Sequence, residues 1–331
     1  MHADSGPLVF AIGSSTGLGE RICAKLGTKL ARLEERGFED GEQKIRPLVN
    51  VRNRDAYVVH SLNGDGEQSA NDKLCRLLFF IGALKDAAAA RATAVVPYLC
   101  YARKDRRTKS RDPVTTRYVA QLFEAIGTDR VICLEAHNIA AFQNAFRCGT
   151  DHLTADAMFA AYFKRLVGAA PVAVVSPDPG GVKRAERFRR KLEAALQRPA
   201  AAGFMEKHRS RGEVTGEIFA GDVAGRSVII VDDLISTGGT VSRMAVACRQ
   251  RGAGQVHVAA AHGLFSRGAG DVLGAAPIDR IVVTDSVEPA QAETARIADR
   301  LEVLGVADLF AEAIRRSHEG GSISELVGEE D

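Results

Sequence analysis

The sequence predicts an α/β protein with two domains, each a mostly parallel sheet flanked by helices. Short runs rich in valine, isoleucine and alanine alternate with longer helical patterns along the chain, which is the rhythm of parallel sheets with helices on both faces. The length of 331 residues is enough for two separate cores. Polar residues directly follow several of the apolar runs, at the sheet edge where such proteins bind their ligands.

The individual elements follow from these patterns in chain order. The apolar runs predict strands at 8–12, 57–60, 92–97, 130–134, 171–176, 227–231, 255–261 and 279–284. The longer segments between them predict helices at 71–90, 114–126, 153–166, 181–196 and 240–251. Residues 194–203 are rich in alanine and contain Pro199, and we expect an irregular connector there. Because about half of the strands fall on each side of residue 150, we place the domains at 1–150 and 151–331.

The composition excludes several classes of protein. A hydrophobic fraction of 46% and a charged fraction of 26% are ordinary for a globular enzyme. A formal net charge of +2 gives no global field that would attract nucleic acid or an anionic membrane. The six cysteines include no CxxC pair, as in a reduced intracellular protein. No apolar run approaches the ~20 residues that cross a bilayer, so we expect a cytoplasmic protein that binds neither nucleic acid nor membrane.

The first predicted strand and helix surround a glycine-rich stretch, VFAIGSSTGLG at 9–19. Such a turn lets a pyrophosphate approach a helix N-terminus in dinucleotide-binding proteins. A short-chain dehydrogenase also needs a tyrosine followed four positions later by a lysine, because that lysine lowers the pKa of the phenol. None of the five tyrosines has one. We therefore interpret the glycines as a tight strand-to-helix turn.

The most informative stretch is VIIVDDLISTGGTV at 228–241. Its four leading apolar residues predict a buried parallel strand, and the paired carboxylates of Asp232 and Asp233 at the strand end suit sugar hydroxyls. Residues 236–240 predict a small loop of hydroxyls and glycines before a helix that Thr240 can cap. Such a loop presents several backbone N–H groups to one point and suits a phosphate monoester.

This stretch resembles the phosphoribosyl-pyrophosphate (PRPP) binding motif that phosphoribosyltransferases share with ribose-phosphate pyrophosphokinases, also called PRPP synthetases. Further segments resemble the second family, in order and at similar spacing. They are FEDGE at 38–42, VPYLCYARKDRR at 96–107, LEAH at 134–137, SPDPGGVKRA at 176–185 and EKHR at 206–209. The resemblance covers nearly the whole chain and implies two phosphoribosyltransferase-like (type I) domains with the active site between them.

The same resemblance implies a reaction and a set of site residues. The reaction is transfer of the β,γ-pyrophosphoryl group of ATP to the C1 hydroxyl of ribose 5-phosphate, which gives AMP and PRPP for nucleotide biosynthesis. Mg²⁺ accompanies ATP, and catalysis depends on positioning and charge stabilisation. The implied residues are Lys207 and Arg209 for catalysis; Phe38, Asp40, Glu42, Arg103 and Lys104 for ATP; Asp232, Asp233, Ser236, Thr237, Gly238, Gly239 and Thr240 for ribose 5-phosphate; and His137 and Asp178 for the metal. Because the adenine contacts would come from a neighbouring subunit, a homo-oligomer is implied, either a dimer or an assembly built from dimers.

Three positions depart from the common pattern of that family. Ser236 stands where an aspartate is common, which removes a carboxylate near the ribose. Lys104 replaces a usual glutamine and adds a positive charge beside the ATP phosphates. Glu135-Ala136 replaces Asp-Leu before His137. A structural role also stays open for His137, because Mg²⁺ prefers oxygen ligands.

The basic segment 103–111 carries six lysines and arginines against one aspartate. It is open to three interpretations, which are a solvated loop, an RNA-binding patch and a phosphate-binding segment for the nucleotide. We favour the third, because Pro97, Tyr98 and Tyr101 tie the segment to a strand end and the net charge elsewhere is balanced.

Two other functions remain alternatives at this point. A phosphoribosyltransferase usually needs one domain, and FEDGE and YARKD would have no role in it. A non-catalytic regulatory subunit would bind the same ligands without turning them over. The C-terminal SISEL, at 322–326, resembles the serine-bearing tail of the regulatory phosphate and ADP site in phosphate-activated members, and the alternative is a polar tail without that role.

Overall fold

The computed structural model describes residues 6–210 and 213–328, and for 206–210 and 213–218 it describes the backbone without the side chains. The described chain divides into two compact units. The first holds the residues up to Thr154 together with those from Val306 onward, and the second holds Ala155–Gly305. The sequence placed the C-terminal segment in the second domain, whereas the structure groups it with the first.

The first unit is built on a sheet in which every neighbouring pair is parallel. The strand order is β1-β4-β5-β6-β7, and β2 and β3 form a separate antiparallel hairpin. Its elements up to residue 154 are β1 (Leu8–Ala11), α1 (Thr16–Leu26), β2 (Leu33–Gly37), β3 (Gln43–Pro47), β4 (Asp55–Val59), α2 (Ala70–Asp86), β5 (Arg91–Val96), α3 (Thr115–Ala125), β6 (Arg130–Leu134), α4 (Ile139–Ala145) and β7 (Gly149–Leu153). Phe10 and Phe80 pack edge to face in its core, with ring centroids 5.1 Å apart.

The second unit contains the other sheet, in the order β10-β9-β8-β11-β12-β13-β14. Its β9 and β10 pair antiparallel, and the remaining neighbours pair parallel. The elements are α5 (Asp156–Val167), β8 (Val172–Ser176), α6 (Val182–Leu196), β9 (Ala201–Ser210), β10 (Glu213–Ala220), β11 (Ser227–Ile235), α7 (Gly239–Gln250), β12 (Gln255–Gly263), α8 (Ala269–Ala275), β13 (Arg280–Thr284), α9 (Gln291–Thr294) and β14 (Leu301–Leu304). The run Val228–Val231 is buried throughout, because a central parallel strand is covered on both faces.

The chain then returns to the first unit as α10 (Ala307–Glu319) and α11 (Ile323–Val327). Helix α10 packs against α1, and Lys25 Nζ lies 2.9 Å from Asp308 Oδ1. His318 Nδ1 lies 2.7 Å from Asp55 Oδ2, and the same carboxylate accepts hydrogen bonds from Arg91 and from the buried hydroxyl of Tyr57. These contacts, between residues distant in sequence, explain why the C-terminal segment belongs with the first unit.

The predicted α/β class with parallel sheets and flanking helices is confirmed, and each predicted strand and helix has a counterpart within a few residues. The expected connector at 194–203 is wrong in its extent. Helix α6 continues to Leu196, since alanine favours helix, and β9 begins at Ala201, which pairs with Ala173 of β8. None of the helices within the described residues combines the length and apolar character needed to cross a membrane.

The glycine-rich stretch at 9–19 is confirmed as a tight strand-to-helix turn. Strand β1 leads into a 3₁₀ turn at Gly13–Ser15 and then α1. A Cβ at Gly19 would lie 2.4 Å from the Cβ of Ala11. Packing of the helix against its own strand therefore accounts for this glycine.

Candidate active site

The carboxyl end of β11 carries the two consecutive aspartates. Asp232 Oδ1 lies 3.6 Å from Arg184 Nη1, and Asp233 Oδ1 lies 3.4 Å from the same nitrogen. The Asp232 carboxylate also accepts the backbone N–H of Asp233 at 2.9 Å. Arg184 lies on α6, and its side chain is only 11% exposed. Two carboxylates and one guanidinium therefore form a compact, largely buried group at this strand end.

The charges of this group do not balance, because it contains two acidic side chains and one basic side chain. Burial and the negative charge of Asp233 raise the pKa of Asp232 well above its ordinary value, while the positive charge of Arg184 acts in the opposite direction. Neighbouring carboxylates raise each other's proton affinity, and an adjacent cation lowers it. The group therefore favours a ligand that donates hydrogen bonds to these carboxylates.

The loop after β11 connects the strand to α7. Ser236 Oγ lies 2.8 Å from Ser266 Oγ, and the Ser266 N–H donates to the Ser236 carbonyl at 3.0 Å. Thr237 is exposed. Gly238 has a φ of +78° and stands at the N-cap position of α7. The loop is thus held by the β12–α8 connection and leads its backbone directly into a helix N-terminus.

The prediction that Thr240 caps this helix is wrong. Helix α7 begins at Gly239, with Gly238 as N-cap and without a side-chain cap. Thr240 lies inside the first turn. The first N–H groups of a helix have no acceptor within the helix, and no side chain caps them here, so they are suited to an external acceptor.

Asp178 lies in the turn between β8 and α6. Its Oδ1 accepts the Gly181 N–H at 3.0 Å, which caps a short 3₁₀ turn. Ser176 Oγ donates to the Asp178 carbonyl at 2.6 Å. A Cβ at Gly181 would lie 2.6 Å from Ser176 Oγ, so the turn requires glycine there. The structure therefore gives Asp178 a local structural role that the sequence analysis did not include.

The basic segment of the first unit follows β5. Arg103 is exposed. Lys104 Nζ lies 2.9 Å from Asp112 Oδ2, and that oxygen also accepts the backbone N–H groups of Thr108 and Lys109. These hydrogen bonds, the one from Lys104 first, hold the pKa of Asp112 well below its ordinary value. Lys104 thus organises its own loop, which the sequence analysis did not foresee.

The loop of His137 lies next to this segment. Asn138 donates from Nδ2 to Asp105 Oδ2 at 2.7 Å and accepts the Ala141 N–H at 3.2 Å as the N-cap of α4. His137 itself is exposed. The loops after β5 and β6 are therefore tied together at the carboxyl edge of the first sheet.

The FEDGE segment forms the turn of the β2–β3 hairpin. Phe38 is 43% exposed, and the Arg36 guanidinium carbon lies 5.1 Å from the centroid of its ring. The Asp40 carboxylate accepts the N–H of Glu42 at 3.0 Å. All three predicted adenine-contacting side chains, those of Phe38, Asp40 and Glu42, are exposed at this turn.

The remaining predicted residues are only partly described. Lys207 and Arg209 belong to β9, where they pair with Glu217 and Val214 of β10, but their side chains lie outside the described part of the structure. Of the predicted metal ligands, His137 belongs to the first unit and Asp178 to the second. Within the described residues, no three His, Cys, Asp or Glu side chains are grouped so that they could hold a metal ion by themselves.

Sequence reasoning missed two residues of the second unit. Arg184 lies inside the quoted SPDPGGVKRA segment, but only Asp178 of that segment was selected. Ser266 belongs to none of the quoted segments. Sequence offered a weak signal for Arg184 and none for Ser266, since their partners lie 48 and 30 positions away.

Comparison with known proteins covers both units. Residues 8–127 match the family described as the N-terminal domain of ribose phosphate pyrophosphokinase, and residues 204–328 match the phosphoribosyl synthetase-associated domain. The chain is 39% identical over 319 residues to the ribose-phosphate pyrophosphokinase of Caldanaerobacter subterraneus subsp. tengcongensis, with 96% of each chain covered. It is 36% identical over 323 residues to ribose-phosphate pyrophosphokinase 1 of Streptococcus pyogenes, again with 96% of each covered. A crystal structure of phosphoribosylpyrophosphate synthetase from Mycobacterium smegmatis superposes with a TM-score of 0.85 at 30% identity, covering 96% of this chain and all of that one.

Proposed function

The chain belongs to the ribose-phosphate pyrophosphokinase family, and on that premise we propose that the carboxyl end of β11 and the loop that follows it bind ribose 5-phosphate. As a member of this family, the chain is an enzyme that transfers the pyrophosphoryl group of ATP to ribose 5-phosphate and forms PRPP and AMP. The sequence-based prediction of the family and of this reaction is confirmed. The assignment of individual residues is our proposal.

The observation that supports binding of ribose 5-phosphate here is the acidic end of β11, followed by a hydroxyl-lined loop and a helix N-terminus without a side-chain cap. Asp232 and Asp233 accept hydrogen bonds from the ribose hydroxyls. The 5-phosphate lies against residues 236–240, where the N–H groups that open α7 point out of the helix. The exposed Thr237 supplies a hydroxyl donor to a phosphate oxygen.

Transfer of the pyrophosphoryl group builds negative charge on phosphate oxygens, so we assign the cations to its stabilisation. Arg103 is exposed after β5, and we propose that it contacts a nucleotide phosphate. We retain Lys207 and Arg209 as the catalytic cations on the strength of the sequence resemblance. Lys104 acts first as the partner of Asp112, and we propose that it shapes the phosphate-binding loop in addition to adding charge.

We propose Mg²⁺ as the metal that accompanies ATP. Mg²⁺ is commonly held by one or two protein carboxylates together with substrate phosphates and water. The partly exposed Asp178 carboxylate fits that chemistry. Bound Mg²⁺ would neutralise charge on the ATP phosphates, and His137 would contact it from its exposed loop.

The exposed hairpin turn supports the proposal that adenine is bound across a subunit contact. Phe38, Asp40 and Glu42 offer an aromatic face and two carboxylates on a projecting β2–β3 turn. A homo-oligomer, either a dimer or an assembly built from dimers, would place this turn at a neighbour's ATP. We further propose the cytoplasm as its location, in keeping with six free cysteines.

The test of the sugar site is a pair of aspartate variants assayed for AMP release from ATP and ribose 5-phosphate. Asp232→Asn is expected to raise the KM for ribose 5-phosphate by roughly 10-fold or more, because a charged acceptor is lost. The matched control is Asp222→Asn, a 67% exposed aspartate of the same unit that pairs with Arg226. Equal KM values for ribose 5-phosphate in both variants would overturn the assignment of this strand end. Absence of AMP formation by the unaltered protein, with ATP and ribose 5-phosphate still bound, would favour the regulatory-subunit alternative.

A further inference from the structure

Consecutive residues of a β-strand point to opposite faces of the sheet. Asp232 and Asp233 are consecutive in β11, yet both carboxylates approach one nitrogen of Arg184, at 3.6 and 3.4 Å. The backbone N–H of Asp233 also donates to Asp232 at 2.9 Å. The two acids therefore converge on one guanidinium, and they also lie close enough for a hydrogen bond between their side chains.

The position of Arg184 is set by the element that precedes it. Helix α6 begins at Val182, directly after the turn that Asp178 caps. A Cβ at Gly181 would lie 3.6 Å from Arg184 Nη1, an ordinary contact distance, so the guanidinium lies close to the backbone at the start of the helix. The guanidinium thus joins the first turn of α6 to the carboxyl end of β11.

The charges of Asp232, Asp233 and Arg184 indicate what the contact between them does. Two carboxylates side by side and largely removed from water repel each other, and one of them turns away or takes up a proton unless a cation lies between them. Burial and Asp233 raise the pKa of Asp232, and Arg184 lowers it, so the guanidinium favours the charged, hydrogen-bond-accepting form of the pair. Each carboxylate also has acceptor sites beyond the one it offers to Arg184.

We propose that Arg184 is a positioning residue of the ribose 5-phosphate site, which holds Asp232 and Asp233 together so that their remaining oxygens accept hydrogen bonds from the sugar hydroxyls. This inference rests on the proposed sugar site. The competing explanation is a purely structural ion pair that fastens α6 to β11. The two explanations differ in the kinetic parameter that they affect.

The experiment compares Arg184→Gln and Arg184→Lys with Arg190→Gln. Arg190 lies on the same helix, is 75% exposed and pairs with Glu186, so its variant reports on loss of a surface charge from α6. We expect Arg184→Gln to raise the KM for ribose 5-phosphate roughly 10- to 100-fold, as loss of a charge-assisted interaction does. The KM for ATP should stay within about twofold. Arg184→Lys should recover part of the loss, because the charge is kept and the planar fork is not.

The outcomes separate the explanations. A lower thermal midpoint for Arg184→Gln with an unchanged KM for ribose 5-phosphate would show a structural ion pair and overturn the proposal. Equal increases in both KM values would do the same. If Arg184→Gln does not fold, Arg184→Lys decides. The lysine keeps the charge but lacks the planar fork, so the KM for ribose 5-phosphate should still rise, and wild-type KM values in that variant would overturn the proposal.

Asp232→Asn distinguishes failure of this inference from failure of the proposed function. If Asp232→Asn raises the KM for ribose 5-phosphate and Arg184→Gln does not, the sugar site stands and the role of Arg184 falls. If neither variant changes that KM, the sugar site itself is wrong. Where both act, the double variant should be no worse than the more affected single variant within about twofold, because the two residues act as one unit.

Discussion

A single methyl group at Gly238 tests the geometry of the loop after β11. Gly238 has a φ of +78°, which is unfavourable for any residue with a Cβ. A Cβ there would lie 2.7 Å from Leu273 Cγ and 2.8 Å from its Cδ2. Leu273 is fully buried, so it has no solvent-side position to move into. Gly238→Ala therefore combines backbone strain with overpacking.

The magnitude follows from these two terms. The left-handed conformation costs an alanine roughly 1–2 kcal/mol, and forcing a methyl group into a packed site costs about 1–3 kcal/mol. The variant should lose roughly 2–5 kcal/mol of unfolding free energy if the loop keeps its place. If the loop moves instead, it must shift by about 1 Å to restore an ordinary carbon–carbon contact. If the loop binds ribose 5-phosphate as proposed, a misplacement of that size costs up to about 10²-fold in kcat/KM.

The assay measures the thermal unfolding midpoint, with and without ribose 5-phosphate, and the KM for ribose 5-phosphate. For a unit of this size the midpoint should fall by about 2–4 °C per kcal/mol lost. The matched control is Gly239→Ala, where the Cβ would meet the flexible end of Arg243 at 3.4 Å and Thr237 Oγ1 at 3.8 Å. Its midpoint should stay within about 2 °C of the unaltered protein. Wild-type midpoint and KM values for Gly238→Ala would refute the packing argument.

Three further predictions concern stability. Burial lowers the pKa of His257 to about 4, so the folded state binds fewer protons than the unfolded state between about pH 4 and 6.5. The neutral, buried histidine therefore contributes its full share of stability above about pH 6.5. That share, roughly 3 kcal/mol, is lost as the pH falls to about 4. His257→Leu should therefore flatten the acid side of a plot of thermal midpoint against pH, and an unchanged slope would contradict this. Asp55→Ala should cost roughly 3 kcal/mol by removing the shared acceptor of His318 and its neighbours, and should expose α10 to limited proteolysis; equal protease resistance would count against it. Gly19→Val should reduce the soluble yield or the thermal midpoint sharply, because its Cβ would lie 2.4 Å from that of Ala11, and a midpoint equal to that of the unaltered protein would refute the close packing.

Local patterns allowed much of the fold to be predicted from sequence. The run at 228–231 is apolar without alternation, as a strand buried on both faces requires, and the structure buries all four residues. The acids and glycines after it could be read as a strand end and loop because these residue types have strong local preferences. The same holds for the glycine turn at 9–19.

Long-range packing could not be predicted in this way. The strands of the β2–β3 hairpin have charged residues at half of their positions and no apolar alternation, so no sequence pattern indicated their pairing. The return of α10 to the first unit depends on His318 and Asp55, which are 263 positions apart. The Thr240 cap was wrong because the N-cap is Gly238, two residues before the hydroxyl that the pattern suggested. Conformational freedom at one glycine decided that boundary.

The hydroxyl at Ser236 is consistent with the charge balance of the neighbouring acids. The common pattern of the family has an aspartate at this position, and a third carboxylate close after Asp232 and Asp233 would add negative charge that Arg184 alone does not offset. Ser236 instead shares a hydrogen bond with Ser266, 2.8 Å away. A hydroxyl pair can both donate and accept, so this edge keeps its hydrogen-bonding capacity for the proposed sugar phosphate while its total negative charge stays lower. Ser236→Asp is therefore expected to bind a phosphate monoester less tightly unless a cation accompanies it.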